Sequence, residues 1–256
     1  MSNEERARKI AAATPKDRSR VKWGIAIALA IAVLAGIAWT VYAGKSAGPS
    51  TSQSQGIPAG GLAQGEGLNP YPNVQVKQGA PKVDVYSDFQ CPICGQLSKT
   101  NGQAIDELAA KGEISLVEHH MKFLDENMGL GEKGPSHTAA NAAFCAADQG
   151  VYFTVAHGIF SAQPEREGDG FPEGIYAQLA EKAGLSGEKL EQFNSCVQKG
   201  TYLNYVKMSD ESSSRSGITG TPAVKINGVD VAGEDMSALV TQPGSFPQVL
   251  AKYAKK

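Results

Sequence analysis

Cysteine and histidine are scarce in this chain, with four of each among 256 residues. Of the cysteines only Cys91 and Cys94 are closely spaced, and no second Cys-x-x-Cys or Cys-x-x-His follows them. A zinc site normally gathers four such ligands, so the shortage weighs against structural metal. Met121, Met128, Met208 and Met236 are scattered, without the spacing of a copper site. Net charge is only −2, and it is unevenly placed. Residues 1–22 carry seven Lys/Arg against three Asp/Glu, a net of +4, which leaves −6 for the rest. An acidic main body gives no support for nucleic-acid binding. No charged residue occurs at all from Trp23 to Ala43.

That uncharged run is dominated by Ile, Ala, Val and Leu, and it matches the roughly 20 apolar residues that span a bilayer. Trp23 at one end, with Trp39 and Tyr42 at the other, fits an interfacial aromatic belt. The basic residues all precede it, so the positive-inside bias places residues 1–22 in the cytoplasm as a leader and sends the C-terminal domain outside. A cleaved signal peptide ending at Val41-Tyr42-Ala43 is the rival, but its apolar region would normally be only about 7–15 residues long. The expectation is a single-pass cell-membrane anchor over 23–43. Residues 44–72, rich in Gly, Ser, Gln, Ala and Pro, read as a flexible tether with an r.m.s. reach of about 30 Å.

The chemistry centres on Ser87-Asp88-Phe89-Gln90-Cys91-Pro92-Ile93-Cys94. Val83 and Val85 give a strand before it, and Leu97, Ile105, Leu108 and Ala109 a helix after it, with a break at Gly102. A strand delivering Cys-x-x-Cys to a helix start is a thioredoxin-type redox pattern. At a helix N-terminus the unpaired N–H groups and the dipole favour a thiolate, the attacking species in disulfide exchange. Cys91 is therefore the expected nucleophile. Pro92 suits the first helical turn, and Cys94, one turn on, is the expected resolving thiol. Half a zinc site is a weaker reading. So is a structural disulfide, because so short a loop gains little entropy.

Upstream, Val74–Val76 reads as a further short strand; downstream, 114–123 reads as a strand that makes a βαβ unit with the helix after the cysteines and the strand before them. Helices follow from Ser136 to Asp148, from Tyr152 towards Pro164, from Pro172 to Gly184, from Ser186 onward and from Thr201 to Ser216. The first four form an all-helical insertion over about 130–200, in which Cys145 and Cys196 are 51 residues apart. Pairing and two buried free thiols are both open for them. Gly217-Ile218-Thr219-Gly220-Thr221-Pro222 leads into a hairpin signalled by Asn227-Gly228, and Pro247 opens a closing helix. His119 and His120 fall on one strand and face opposite sides, so at least one is expected in solvent; neither they nor His137 and His157 are expected to be catalytic.

Ser-Asp-Phe-Gln-Cys-Pro-Ile-Cys, Ala-Ala-Asn-Ala-Ala-Phe-Cys and Gly-Ile-Thr-Gly-Thr-Pro-Ala-Val-Lys-Ile-Asn-Gly occur in that order. Together they resemble the DsbA-like thiol-disulfide oxidoreductases, especially the membrane-anchored actinobacterial forms, from about Val74 to the C-terminus. The resemblance implies an α/β thioredoxin-like fold over 73–256, with Cys91 as nucleophile, Cys94 as resolving thiol and Pro92 and Ile93 tuning them. It implies a cis-proline loop at Thr221-Pro222 that meets substrate, and a structural disulfide between Cys145 and Cys196. The implied activity is oxidation of reduced exported proteins by a monomer that needs no cofactor beyond its cysteine pair and is re-oxidised by a quinone-linked membrane oxidase.

Two departures stand out. Many relatives carry a buried carboxylate six residues before the first cysteine, where this chain has Val85; Asp84, Asp88 or water are left to handle protons. Ile93 stands where strong oxidants often have His, and it adds neither donor nor charge, which implies a moderate oxidant. A reductase or isomerase of the same fold and a metal-delivery module are the alternatives.

Overall fold

A computed structural model of the chain describes residues 56–254. The leader, the anchor and residues 44–55 of the tether lie outside the described residues. Among the described residues no helix is long and apolar enough to cross a membrane.

The sheet has four strands: β1 (Lys82–Asp88), β2 (Ser115–Met121), β3 (Ala223–Ile226) and β4 (Val229–Asp230), in the order β2-β1-β3-β4. β1 runs parallel to β2, which requires a crossover, and antiparallel to β3. The crossover is α1 (Pro92–Leu97), a π-helical turn at Ser98–Gly102, and α2 (Gln103–Ala110). The break expected at Gly102 is thus a widened turn within one continuous helical run. A short α3 (Phe123–Asn127) follows β2, and then come α4 (Pro135–Asp148), α5 (Tyr152–Ser161), α6 (Ile175–Lys182) and α7 (Gly187–Lys199), with α8 (Leu203–Arg215) returning to pack on β2. After the hairpin come α9 (Gly233–Thr241) and α10 (Phe246–Tyr253). The hairpin turn places Asn227 at φ 52° and Gly228 at φ 78°, the double left-handed geometry for which Asn-Gly is suited.

Two apolar cores result. One lies between the sheet and α2, α9 and α10, built on Val83, Val85, Ile105, Leu116, Val224 and Ile226. The other fills the helical insertion, where Ala139, Ala140, Ala142 and Ala143 let α4, with its own Phe144, pack closely against Ile159, Phe193 and Tyr205. Cys145 and Cys196 are joined there as a disulfide. Closing a loop of separation 51 contributes about 4 kcal/mol in the chain-entropy account.

Several expectations are corrected. Val74–Val76 is not a strand: its backbone turns to meet the α2–β2 corner, where Lys77 N–H donates to Gly112 O at 2.8 Å. The part of the tether from Gly56 to Pro72 is folded onto the domain. Leu68 is fully buried and exchanges two 2.8 Å backbone hydrogen bonds with Glu118 on the outer edge of β2. Tyr205 holds the same loop by donating to the carbonyls of Leu62 (2.6 Å) and Gly67 (2.8 Å). Composition marked this stretch as polar; covering an open strand edge is what orders it. Ser136 does not cap α4. Gly134 is the cap residue, and the first-turn N–H groups of Ser136 and His137 are taken by the Asp125 carboxylate at 3.2 and 2.8 Å.

Candidate active site

β1 ends at Asp88, and the chain turns through Phe89 and Gln90 into α1 with Cys91 as its cap residue and Pro92 in the first turn. Three anchors hold that turn. Cys91 N–H donates to Asp88 O at 3.0 Å. Gln163, from the stretch after α5, donates its amide to both Phe89 O (2.7 Å) and Cys91 O (2.9 Å). Gly95 makes room for that amide, since a Cβ there would lie 2.3 Å from Gln163 Oε1. Gln90 is buried and bonds Asp125 Oδ1 (2.7 Å), Ser136 Oγ (2.6 Å) and Gly168 N–H (2.7 Å), tying the turn to the helical insertion. Neither glutamine was legible as a site residue, because their partners come from distant parts of the chain.

The two thiols are unlike. Cys91 is 7% exposed and Cys94 2%. The Cys91 thiol is pulled down to about 6 by hydrogen bonding from the Cys94 thiol above all, against burial. The backbone N–H groups of Cys94 and Ile93 and the contact with Thr221 add to the pull. Burial, and then the neighbouring Cys91 sulfur, push Cys94 well above the ordinary thiol range. The first cysteine is therefore a thiolate at neutral pH and the second a protonated thiol, the division of labour that disulfide exchange requires.

Thr221-Pro222 faces the pair, where the resemblance puts a cis-proline loop. The bond between them is cis, and the Cys91 thiol lies 3.4 Å from Thr221 O. Beside it Ile93, 49% exposed, joins Thr221, Pro222, Met236, Ser237 and Val240 around an open groove of about 480 Å³. Pro92 is exposed on the same helical turn. A partly apolar groove beside the cis-proline loop suits an extended polypeptide held by main-chain bonds.

The acids near the motif sort by sheet face. Asp84 points away from Cys94, as expected, and bonds the Lys82 ammonium and His119 Nε2, each at 3.0 Å. Burial pushes its carboxyl up, but those two partners outweigh it and hold it below the usual range. Asp88 is fully buried and pushed up to about 7, chiefly by burial. Its oxygens are occupied by the Ser136 hydroxyl and by the N–H groups of Gln90 (2.9 Å) and Leu124 (3.1 Å). The two histidines do face opposite ways, but neither is solvated: His119 is stacked on Tyr86, and His120 is enclosed between Ser87 Oγ (3.2 Å) and Tyr152 OH (2.6 Å). Among the described residues no group of three or more His, Cys, Asp or Glu is placed to hold a metal ion.

A family model described as thioredoxin matches residues 74–241. The chain is 25% identical over 202 residues to the serine/threonine-protein kinase PknE of Mycobacterium tuberculosis, a match covering 76% of this chain and 35% of that longer protein. Among solved structures it is similar to the MdbA protein of Actinomyces oris, a thiol-disulfide oxidoreductase, at 22% identity and TM-score 0.59, covering 76% of this chain and 95% of that one. DsbA of Mycobacterium tuberculosis in its oxidised form superposes with TM-score 0.52 at 23% identity, over 71% of this chain and 96% of that one. At such identities the structures speak for the fold. With the family model spanning most of the described domain, and with a cis-proline loop facing a Cys-x-x-Cys at a helix start, the chain belongs to the thioredoxin family.

Proposed function

We propose that this chain is a membrane-anchored, extracytoplasmic thiol-disulfide oxidoreductase of the DsbA type that introduces disulfides into exported proteins. The observation that carries the reading is the asymmetry of the thiols: Cys91 is lowered to about 6 and lies against Thr221, a wall of the open groove, while Cys94 is buried and raised. A stabilised thiolate favours the reduced form of the pair, so the disulfide form is an oxidant. Ile93 contributes only its backbone N–H to that thiolate, which supports a moderate rather than extreme oxidising strength. MdbA, described as a thiol-disulfide oxidoreductase, lends the reading support through the shared fold.

In the proposed cycle a client thiolate attacks the Cys91 sulfur and Cys94 leaves. A second client thiolate then attacks the client sulfur of the mixed disulfide, so that Cys91 departs as a thiolate. The client loses two electrons and the cysteine pair gains them. A quinone-linked membrane oxidase is the proposed acceptor that restores the disulfide. The 23–43 run is the proposed anchor, with the leader cytoplasmic and the domain outside. The protein works as a monomer with no cofactor. Thiol trapping of Cys91 and Cys94 in intact cells tests the direction: a pair held mostly as disulfide is expected, and a pair held mostly as dithiol would make the protein a reductase or isomerase.

A further inference from the structure

Val85 and Glu118 are paired across β1 and β2, as are Ser87 and His120 two residues on. In a parallel pair, residues in register project to one side of the sheet, so these four side chains share a face. They line a small cavity of about 60 Å³ together with Cys94 and Tyr152. That volume has room for several water molecules, and the polar lining offers them partners. Pro70 completes the wall, because the folded stretch before β1 is bonded to Glu118 through Leu68 and lies over the outer edge of β2.

Most of the polar groups at this cavity are engaged. His120 is held by Ser87 and Tyr152, His157 Nδ1 lies 2.8 Å from Ser98 Oγ, and Asp106 accepts from Tyr71. Glu118 differs: its carboxyl has no hydrogen-bond or ion-pair partner among the described residues. A carboxyl drawn into such a site without a partner keeps its proton, and its free energy is lowered by whatever accepts that proton nearby. Of the acids considered from the sequence, Asp84 lies on the opposite face and Asp88 has its oxygens committed.

Resting on the oxidoreductase reading, we propose that Glu118 is the proton-relay residue of the resolving thiol. It protonates the Cys94 sulfur as that sulfur leaves the disulfide, and takes the proton back when the disulfide re-forms. When a client thiolate bonds to Cys91, the Cys91–Cys94 bond breaks and its electron pair stays on Cys94. The Glu118 carboxyl passes its proton to that sulfur through cavity water, becomes a carboxylate, and regains a proton from solvent.

The titration order agrees with this direction. Glu118 is pushed up to about 8, mainly by burial, with the Asp106 charge adding to it. Cys94 lies well above the ordinary thiol range, so the transfer runs downhill. His120 is pushed down to about 3 by burial and by His119, and Tyr152 lies well above its ordinary range, so neither competes as the acid. His157 is lowered by burial, which leaves it neutral as well.

The test follows reduction of the oxidised full-length chain in detergent by dithiothreitol from pH 5.5 to 9.5, with acid quenching, alkylation and mass spectrometry. Each rate is divided by the fraction of attacking thiolate. For the native chain the corrected rate is expected to fall as pH passes about 8. Glu118→Gln should be at least about tenfold slower at pH 7 and show no inflection, since a positioned general acid typically contributes more than that. Asp106→Asn, which leaves Glu118 in place and removes the charge that adds to its shift, should keep the plateau rate on the acid side and move the inflection to lower pH. A Glu118→Gln profile that overlays the native one, or an inflection unmoved in Asp106→Asn, overturns the relay while exchange itself continues and the oxidoreductase reading stands. Absence of exchange in the native chain overturns both.

Discussion

The two faces of the β1–β2 pair carry the same residue types and put them to opposite use. On one face Asp84 and His119 meet at 3.0 Å with Lys82 alongside, and the carboxyl is held ionised. On the other, Glu118 and His120 share a cavity with Cys94; the histidine is already satisfied by Ser87 and Tyr152, and the carboxyl is left unpartnered and protonated. Burial alone does not decide whether an acid is a charge or a proton store. The presence of a donor within hydrogen-bond reach does.

The largest effect expected belongs to the face that holds the thiols. Cys91→Ser should abolish disulfide exchange with insulin or a reduced model substrate, whereas Asp84→Asn should leave the exchange rate within about twofold, because it lies across the sheet. An Asp84→Asn variant as inactive as Cys91→Ser would erase the distinction between the faces. Next comes stability. Cys145→Ser should cost about 4 kcal/mol in urea unfolding while exchange at Cys91 persists below the transition. Loss of exchange in the folded variant would assign Cys145 and Cys196 to the chemistry instead.

Smaller effects sharpen the contrast through pH. Asp84→Asn should destabilise by about 1–2 kcal/mol, since it removes a buried acceptor that two donors share. The Asp84 carboxyl is held below its ordinary value, so its contribution is fully present above about pH 4 and is lost as pH falls through the folded-state value. The native and variant unfolding curves should therefore converge in acid. Glu118 has the opposite sign: its folded-state value near 8 lies above that of the unfolded chain, so the folded state binds the extra proton between about pH 4.5 and 8. Native stability should decline over that window and Glu118→Gln should not show the decline. Parallel declines in both proteins would contradict a protonated Glu118. The smallest effect concerns tuning. Ile93→His, at an exposed position beside the thiolate, should raise the reduction potential by a few tens of mV, about tenfold in the exchange equilibrium. A fall would contradict the account of Ile93.

Local pattern made much of this legible. The Cys-x-x-Cys at a helix start, the helices of the insertion and the Asn-Gly hairpin each depend on residues close in sequence, and each is where the residues implied. The short α3 and α9 lacked a clear periodic signature. Val74–Val76 alternates as a strand does yet has no neighbour to pair with, for β2 takes its outer-edge bonds from Leu68 instead. The solvated histidine expected on β2 failed for a related reason: alternation told the faces apart, but both faces are covered by other parts of the chain.

By itself, then, the order of residues determined the thiol pair, the helices of the insertion and the apolar run near the N-terminus, because capping, periodicity and hydropathy act over a few turns of chain. Only the tertiary structure decided which acid faces Cys94. That depends on the β1–β2 register, which sets Glu118 beside Val85 from 33 residues further along, and on a polar stretch before β1 folding over the exposed strand edge.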